Sequence, residues 1–378
     1  MIYDVVVVGS SPLSLIEATH YALQGKSVAI VERDDSIGGA WKTFELGNIT
    51  NIDYGCHIIN PVGAAYGFLR DAYKLDLIRM EPQPAIIAPL YSKPYSMSSI
   101  KGPVYRLISA VSTVFKLLSR LKFKQAAIKT ISLKNLIVDF SKNFFEIVNQ
   151  QEIEYIYPKG GAVELLKKIA DKAVNSGVKI ISNTNVHTIK IDDGLCTVVA
   201  DYRSIQSYKL VISSGSSLAN LYVDGNKIEQ KDLPRSFPHI FLNFKEKSDA
   251  KNSFTYLYFQ SHEFLDRINE ITQYVDDKEH AIKTRKIMVM LSQYVDLNHM
   301  DEKKVNEIIS LLQKYNFISQ DVEILDCKKY DYAVNYRNVE LLEYYKKVTN
   351  GVVDFIFTQN LAESIDLYAD KWANLRNV

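Results

Sequence analysis

The sequence predicts an α/β fold with two parts: a dinucleotide-binding βαβ domain and a second domain that combines an antiparallel sheet with a helical insertion. Three observations predict it. The first 32 residues follow a strand–turn–helix–strand pattern, strand-like runs recur after residue 238, and 378 residues exceed what one hydrophobic core usually needs. An apolar fraction of 47% and a charged fraction of 24% are typical of globular proteins.

The charge balance indicates the class of binding partner, and the cysteine spacing indicates the redox compartment. Lys and Arg (45) nearly balance Asp and Glu (44), which disfavours a general nucleic-acid binder and leaves a small molecule as the expected partner. The three cysteines, Cys56, Cys196 and Cys327, are far apart and form no CxxC pair. This pattern fits a reducing compartment. With no leader-like segment and no run of roughly 18 apolar residues, we expect a cytoplasmic protein.

The first element is a βαβ unit. Residues 3–8 (YDVVVV) form a Val-rich run, typical of a parallel strand that is buried on both faces. Residues 13–24 follow a helical pattern that Gly25 ends, and residues 27–31 (SVAIV) predict a second buried strand. We expect a right-handed crossover between the two strands.

The turn between the first strand and the helix reads Gly9-Ser10-Ser11-Pro12. A dinucleotide-binding fold needs a tight turn, close approach of the backbone to a diphosphate, and close packing of helix on strand, which a GxGxxG pattern usually supplies. Here Gly9 is kept, while Ser11 and Ser14 stand at the other two glycine positions. The helix N-terminus still offers free N–H groups and a positive dipole end to an anion.

An acidic residue and a glycine pair strengthen this interpretation. Glu32 ends the second strand about twenty residues past the turn, where a carboxylate binds ribose hydroxyls. It would repel a 2′-phosphate, so the site favours FAD or NAD over NADP. Gly38 and Gly39 follow closely and let the backbone pass near a ligand. The alternative is a buried βαβ unit that binds nothing.

The middle of the chain is basic. Residues 82–138 contain nine Lys or Arg residues and no Asp or Glu, and residues 104–123 have helical periodicity. A solvated helical face is one interpretation. A surface that faces anions is the other, which would allow peripheral membrane contact through residues 104–129.

Later patterns predict the remaining elements. Strands are expected at residues 153–157, 178–181, 185–191, 197–202, 208–212, 239–244, 254–259, 287–294 and 353–357. The runs between 239 and 294 suggest the antiparallel sheet. Helices are expected at residues 162–175, 302–314 and 339–347 and from about residue 362.

Several segments together resemble a known family. Residues 32–41 (ERDDSIGGAW) are similar to the FAD-binding signature of the flavin-containing amine oxidase superfamily. This superfamily includes phytoene desaturases, protoporphyrinogen oxidases and UDP-galactopyranose mutases. Further matches follow in the family's order at residues 51–59 (NIDYGCHII), 157–161 (YPKGG), 185–189 (NVHTI), 330–334 (YDYAV) and 338–345.

The resemblance implies a Rossmann-like FAD-binding domain made of discontinuous segments, 1–72, 155–225 and 340–378. The helical insertion would then comprise residues 73–154 and the substrate domain residues 226–339. The FAD contacts that the resemblance implies are Gly9, Ser10, Ser11, Pro12, Glu32, Arg33, Gly38, Gly39, Ala40, Trp41 and Val186.

His57 is the catalytic residue that the resemblance implies, because it lies in the segment that runs below the flavin ring in this superfamily. An imidazole there could bond a flavin oxygen or a substrate hydroxyl, or relay a proton. The alternative is a core histidine bonded to the backbone. The other histidines show no metal-binding spacing, so no metal is expected.

The resemblance implies an FAD-dependent oxidoreductase that oxidises a small organic substrate by hydride transfer to the flavin. A mutase-like isomerase of a nucleotide sugar is the alternative, with Arg235, Arg285 and Arg337 as candidates for its paired arginines. A non-catalytic nucleotide-binding or scaffold protein is the third. It is motivated by the two serines of the turn and by residues 357–363, which lack the family's Gly–acid pair. The substrate and the oligomeric state stay open.

Overall fold

A computed structural model describes most of the chain. The described residues are 2–46, 49–54, 59, 64–80, 84–87, 95–96, 155–212, 220–228, 235–246, 256–259, 262, 264–271, 284–292, 295–334, 339–356 and 361–377. The helix predicted at residues 104–123 and the membrane contact predicted through 104–129 lie outside them. In this part of the chain no helix is long and apolar enough to cross a membrane.

The elements alternate along the chain. The helices are α1 (Pro12–Ala22), α2 (Ala65–Tyr73), α3 (Gly161–Asn175), α4 (Glu302–Lys314), α5 (Val339–Val348) and α6 (Leu361–Tyr368). The strands of the first half are β1 (Ile2–Val8), β2 (Val28–Val31), β3 (Thr43–Leu46), β4 (Ile49–Asp53), β5 (Leu77–Met80), β6 (Pro84–Ile87), β7 (Tyr95–Ser96), β8 (Tyr155–Pro158), β9 (Lys179–Ile181) and β10 (Val186–Asp192). Those of the second half are β11 (Leu195–Ala200), β12 (Arg203–Ile212), β13 (Leu221–Val223), β14 (Asn226–Lys227), β15 (Arg235–Glu246), β16 (Tyr256–Phe259), β17 (Leu265–Glu270), β18 (Thr284–Leu291), β19 (Val322–Val334) and β20 (Val353–Phe355).

A parallel sheet forms the centre of the first domain. Its strands follow the order β9-β2-β1-β12-β20, and each neighbouring pair is parallel. The Val-rich residues of β1 are buried on both faces. Val5 and Val7 pack with α1 and α3 on one face, and Val6 and Val8 share a core with Tyr345 of α5 on the other. The predicted βαβ unit is confirmed.

Helix α1 begins at Pro12, one residue earlier than predicted. Ser11 caps it, since its Oγ accepts a hydrogen bond from the Ser14 amide over 3.3 Å. Proline suits this first helical position, where no N–H partner is available in the helix. The helix packs against α3 over a shared apolar core that includes Ile16 and Ile169.

The second sheet has the strand order β19-β15-β18-β17-β16-β6-β7. Its pairs are antiparallel except for β16 and β6. One face packs on α4 through a core that includes Ile240, Leu242 and Ile308. The predicted antiparallel sheet of a second domain is confirmed, and the domain boundaries stay predictions.

Strands β6 and β7 differ from the sequence expectation. They lie within the segment 73–154, for which the sequence predicts a helical insertion, and they form one end of the second sheet with β7 at its edge. The physical reason is tertiary pairing: the short apolar run of β6 aligns with β16, with Leu257 beside Ala85. A run of four residues is too short to show a period.

The β3–β4 hairpin joins the two domains. Phe44 and Ile52 pack with Phe241 and Met288 of the second sheet. Past the end of β4, the Tyr54 ring stacks on Tyr330 of β19 with centroids 3.7 Å apart. The face of the second sheet opposite α4 therefore faces the first domain, which contains the parallel sheet.

The C-terminal residues contact α1 through a hydrogen bond and an ion pair. Glu17 is 1% exposed, and its Oε2 accepts a hydrogen bond from Trp372 Nε1 over 2.7 Å. Lys371 forms an ion pair with the other carboxylate oxygen. A buried carboxylate is thus paired with groups that lie far away in the sequence.

Candidate functional site

The site begins at the turn after β1. Gly9 has a φ of 90°, a conformation that favours glycine, and its amide donates to the Val31 carbonyl over 2.8 Å. This bond holds the turn beside the end of β2. The turn lies at the carboxyl edge of the parallel strands, where open α/β sheets bind ligands.

Ser10 links the turn to Glu32, at the end of β2, by hydrogen bonds. Its amide and its hydroxyl both donate to Glu32 Oε2, over 2.9 and 2.5 Å. Glu32 Oε1 accepts from the Asp34 amide over 3.0 Å. The buried carboxylate is therefore fixed in orientation, and a carboxylate oxygen with one donor retains a second acceptor position.

The glycine pair is held next to Ser10 by hydrogen bonds. The Gly38 amide donates to Ser10 Oγ over 3.0 Å and to the Ser10 carbonyl over 3.1 Å. Gly38 has a φ of +125°, and a Cβ there would lie 2.5 Å from Leu166 Cδ2. Gly39 has a φ of +57° and passes 3.7 Å from Ser11 Cα, measured from an ideal Cβ. The backbone conformation therefore requires glycine at Gly38, and a Cβ there would also displace the end of the Leu166 side chain.

The two serines of the turn are accommodated without strain. Ser11 has a φ of −59°, which any residue adopts, so the glycine of the usual pattern is not needed for conformation. Ser14 is fully buried, and its hydroxyl lies 2.9 Å from Ser11 Oγ. Ser11 and Ser14, at the second and third glycine positions of the pattern, therefore keep the helix close to the strand with small, hydrogen-bonded side chains.

Charged groups flank Glu32. Arg33 is exposed and pairs with Asp34 over 2.9 Å, and the buried Lys42 ammonium contacts the other oxygen of Asp34. The hydrogen bond from Arg33 holds the pKa of Asp34 below its usual value, with Lys42 adding to the effect. Arg33 thus lies at the rim of the site, while Lys42 neutralises a carboxylate beside it.

The remaining predicted contacts lie around this centre. Gly39, Ala40 and Trp41 form one turn of 3₁₀ helix after Gly38, with Trp41 packed on the α1–α3 core. Val186 begins β10 and is partly buried. The segment before it runs along the end of β2, because the Thr184 amide donates to the Glu32 carbonyl over 2.9 Å.

A half-buried acid, Asp53, lies at the end of β4, and the sequence does not predict it. The Tyr157 hydroxyl donates to Asp53 Oδ2 over 2.5 Å and accepts from the Ala162 amide at the start of α3. Asp53 Oδ1 is buried with no hydrogen-bond partner among the described residues. Burial raises the pKa of Asp53 to about 7, although the Tyr157 hydrogen bond lowers it. The carboxyl therefore titrates near neutral pH.

The alternation of β4 gives no signal for Asp53, because Asn51, two residues earlier on the strand, is exposed. His57 lies outside the described residues, and β4 is the strand that leads toward it. Among the residues that the structure does describe, no group of three or more His, Cys, Asp or Glu side chains could hold a metal ion.

Comparisons with known proteins agree with this geometry. Residues 7–72 match the sequence family of the NAD(P)-binding Rossmann-like domain. That segment contains the turn, Glu32 and the glycine pair. The sequence has no significant match among curated proteins.

Solved structures extend the likeness to nearly the whole chain. A cyclohexylamine oxidase from Brevibacterium oxydans is 14% identical, with a TM-score of 0.67, and the match covers 100% of this chain and 99% of that one. A reduced UDP-galactopyranose mutase is 13% identical, with a TM-score of 0.65 and coverage of 94% and 88%. An oxidoreductase from Methanosarcina mazei is 15% identical, with a TM-score of 0.61 and coverage of 94% of each chain.

At these identities the likeness shows the fold, and it agrees with the resemblance found in the sequence segments. Three observations support a Rossmann-like domain followed by a second sheet. They are the strand order, the family match and the antiparallel second sheet. The chain therefore has the α/β fold of these solved structures, with a Rossmann-like segment at residues 7–72.

Proposed function

We propose that the protein is an FAD-dependent oxidoreductase that oxidises a small organic substrate. The observation that carries the proposal is the hydrogen-bonded set of Ser10, Glu32 and Gly38, which joins the turn, the acid and the glycine loop at the N-terminus of α1. The fold supports the class of protein. It does not by itself choose the reaction, because one fold hosts many chemistries.

The described residues fit a flavin dinucleotide. Glu32 Oε1 keeps an acceptor position for a ribose hydroxyl, and the capped N-terminus of α1 at Ser11 and Pro12 suits the diphosphate. The close approach at Gly38 and Gly39 leaves backbone, without side chains, facing the turn. Arg33, Ala40, Trp41 and Val186 would complete the contacts. When bound, the flavin supplies the hydride acceptor.

Two groups are proposed to handle protons. Asp53 keeps its proton to higher pH than an exposed carboxyl, because it is buried beside Tyr157. His57 follows it by four residues, and we assign it the bond to a flavin oxygen or a substrate hydroxyl. We expect His57→Ala to retain FAD and to change the rate of flavin reduction. Unaltered reduction kinetics would remove His57 from the mechanism.

Isomerisation of a nucleotide sugar is the second candidate, since the mutase structure matches about as well as the oxidase. One of its proposed arginines is engaged elsewhere. Arg285 pairs with Glu270 over 2.5 Å and lies over the Phe317 ring at 5.2 Å, on the face that packs against α4. Arg337 lies outside the described residues, and the side chain of Arg235 is not described.

An absorption spectrum of the purified protein, before and after dithionite, tests the proposal. Bound flavin is expected to give absorption bands at about 370 and 450 nm that bleach on reduction. Glu32→Gln should weaken FAD retention, while Glu302→Gln, on the exposed start of α4, should not. A protein that stays colourless after incubation with FAD would overturn both enzyme proposals and favour the scaffold.

Turnover then separates the two reactions. An oxidoreductase consumes one equivalent of electron acceptor for each product molecule. A mutase needs only a catalytic amount of reductant, because its reaction has no net redox change.

A further inference from the structure

Asp53 lies beside the glycine pair of the proposed cofactor site. In the β3–β4 hairpin it is in register with Thr43, and the Tyr54 amide donates to the Lys42 carbonyl over 3.1 Å. Lys42 directly follows the 3₁₀ turn Gly39–Trp41. Helix α3 contacts both this turn and β4. The Asp53 carboxyl is therefore held close to the glycine pair and to α3.

Oδ2 of Asp53 accepts a hydrogen bond from a well-positioned donor. The Tyr157 hydroxyl accepts from the Ala162 amide over 3.3 Å and donates its own hydrogen to Oδ2 over 2.5 Å. Ala162 lies in the first turn of α3, where amide groups have no acceptor within the helix. The start of α3 thus orients the Tyr157 hydroxyl, and Oδ2 keeps the role of an acceptor.

Oδ1 of Asp53 has no such partner. The residue as a whole is half-buried, but this oxygen is buried and has no hydrogen-bond partner among the described residues. Burial raises the pKa of Asp53 to about 7. Because Oδ2 accepts from Tyr157, the proton of the neutral acid lies on Oδ1. A buried O–H group without an acceptor is unfavourable, which indicates that a ligand atom accepts it.

Charged side chains on the elements around Asp53 pair with one another or lie in solvent. They are Lys42 with Asp34 beside β3, Lys168 with Glu164 on α3, and the exposed Glu45 of β3. From β8, the titratable group that contacts Asp53 is the Tyr157 hydroxyl. Within the described part of the chain, burial rather than a charged neighbour therefore determines whether Asp53 holds its proton.

We propose that neutral Asp53 donates a hydrogen bond from Oδ1 to an acceptor oxygen or nitrogen of the bound dinucleotide, whereas Glu32 accepts one from its ribose. The role rests on the proposed function, because the dinucleotide is the cofactor of that enzyme. It couples binding to a proton. Where the ligand-free protein holds Asp53 as a carboxylate, that carboxylate takes up one proton from water when the ligand binds, and no other covalent bond forms or breaks.

The affinity for FAD should therefore depend on pH. The dissociation constant is measured with the FAD-free full-length protein by quenching of flavin fluorescence between pH 6 and pH 9. It should rise by about tenfold between pH 6 and pH 8 and by about tenfold again to pH 9, because binding then requires a proton that the free protein has lost. A constant that stays the same over this range overturns the proposal.

Proton uptake gives a second readout that needs no catalysis. FAD is added to the protein in a weakly buffered solution that contains a pH indicator. About one proton should be taken up for each FAD bound at pH 8, and close to none at pH 6. Asp53→Asn should take up none at either pH. Equal uptake in the two proteins would assign the proton to another group and overturn the role of Asp53.

Asp53→Asn also distinguishes a binding role from a structural one. The amide is neutral at every pH and offers a donor of similar shape. The variant should bind FAD as the wild type does at pH 6 and about tenfold more tightly than the wild type at pH 8. Asp171→Asn, the same change on the exposed side of α3, should keep the wild-type pH dependence. Weaker binding by Asp53→Asn at every pH would mean that the carboxyl is structural.

Asp53→Leu separates donation from simple charge repulsion. A carboxylate also repels a diphosphate, and both Asn and Leu remove that charge, but Asn alone keeps a donor. The Leu variant should bind FAD about fivefold or more weakly than the Asn variant, because an acceptor of the ligand loses its partner. Asp53→Ala gives the same comparison if the Leu variant does not fold. Equal affinities of the Asn variant and the apolar variant would overturn the hydrogen bond.

Tyr157→Phe should move the pH dependence upward. The hydrogen bond from Tyr157 lowers the pKa of Asp53, so its loss keeps the acid neutral to higher pH. The rise in the FAD dissociation constant should then begin at a higher pH than in the wild type. Tyr202→Phe, whose ring is 92% exposed, should leave the onset unchanged. An onset at lower pH in Tyr157→Phe would contradict the assigned direction of the hydrogen bond.

FAD and NAD, tested side by side, separate this role from the proposed function. FAD that binds without proton uptake keeps the flavoprotein and loses the role of Asp53. NAD that binds with proton uptake through Asp53, while FAD does not bind, keeps the role and loses the flavin enzyme. A protein that binds neither dinucleotide loses both.

Discussion

The Ser10 hydroxyl donates a hydrogen bond to Glu32 Oε2 over 2.5 Å, and the Ser10 amide donates to the same oxygen. The hydroxyl also accepts from the Gly38 amide. One small side chain thus joins three segments of the proposed cofactor site: the turn after β1, the end of β2 and the glycine loop. This role belongs to a position that the GxGxxG pattern leaves unspecified.

Ser10→Ala should loosen this junction. We expect the free energy of unfolding to fall by about 1.5–3 kcal/mol, because a hydrogen bond to a charged, buried group is lost. FAD should also bind more weakly, since Glu32 is then less well oriented. Urea titration of the apoprotein and quenching of flavin fluorescence measure the two effects.

Ser310→Ala is the matched control. Its hydroxyl donates to the Asn306 carbonyl on the exposed side of α4. The change there should stay within about 0.5 kcal/mol and should leave FAD binding as it is. If Ser10→Ala is equally mild, the junction contributes little.

Gly38→Ala should destabilise the protein by about 1–3 kcal/mol from backbone strain alone, because its φ is +125°. Contact of the new Cβ with Leu166 adds to this. Gly177→Ala, with a φ of +92° and nothing within 4 Å, isolates the strain. The stability difference that Gly38→Ala causes should shrink when it is measured in the Leu166→Ala background, because the contacted methyl group is then absent. A difference that stays the same would exclude Leu166 as its cause.

Asp53 should make stability depend on pH. Its pKa is about 7 in the folded protein against 3.8 for the free group, so between these values the folded protein holds a proton that the unfolded chain has released. Its contribution to the free energy of unfolding therefore falls as pH rises from 3.8 to about 7, and it is flat above. The slope reaches at most about 1.4 kcal/mol per pH unit.

Asp53→Asn should remove this slope in urea titrations across the same pH range. Tyr157→Phe should extend it to higher pH, because the Tyr157 hydrogen bond lowers the pKa of Asp53. Asp192→Asn changes an exposed carboxyl and should leave the profile unchanged. A wild-type profile identical to that of Asp53→Asn would show that the carboxyl ionises normally.

Trp372→Phe should lower the free energy of unfolding by about 1–3 kcal/mol, because the buried Glu17 carboxylate loses a donor. Glu17→Leu should also destabilise, since it leaves Trp372 Nε1 without this acceptor. The double variant should cost less than the sum of the single ones. Strict additivity in the cycle would mean that the two side chains do not interact.

The parts of the fold that could be predicted are those with short-range causes. The Val-rich run of β1 and the distance from Gly9 to Glu32 are set by neighbours in the chain. A parallel strand buried on both faces needs a continuous apolar run, so the sequence of β1 indicates its environment directly.

The parts that escaped prediction depend on distant partners. Asp53 meets Tyr157 across 104 residues, and nothing in either segment specifies the other. The pattern of β15, HIFLNF, predicts a strand, but it does not show that Asn243 is as buried as Phe244. Burial on both faces follows from the β3–β4 hairpin, whose packing is a tertiary event.

The attachment of Trp372 to Glu17 has a consequence for protein synthesis. The two residues are 355 positions apart, which at about 5–20 residues per second delays the second partner by roughly 20–70 s on the ribosome. Until then the Glu17 carboxylate lacks its partners Trp372 and Lys371. The packing of α1 is therefore completed only after the last segment of the chain has been translated.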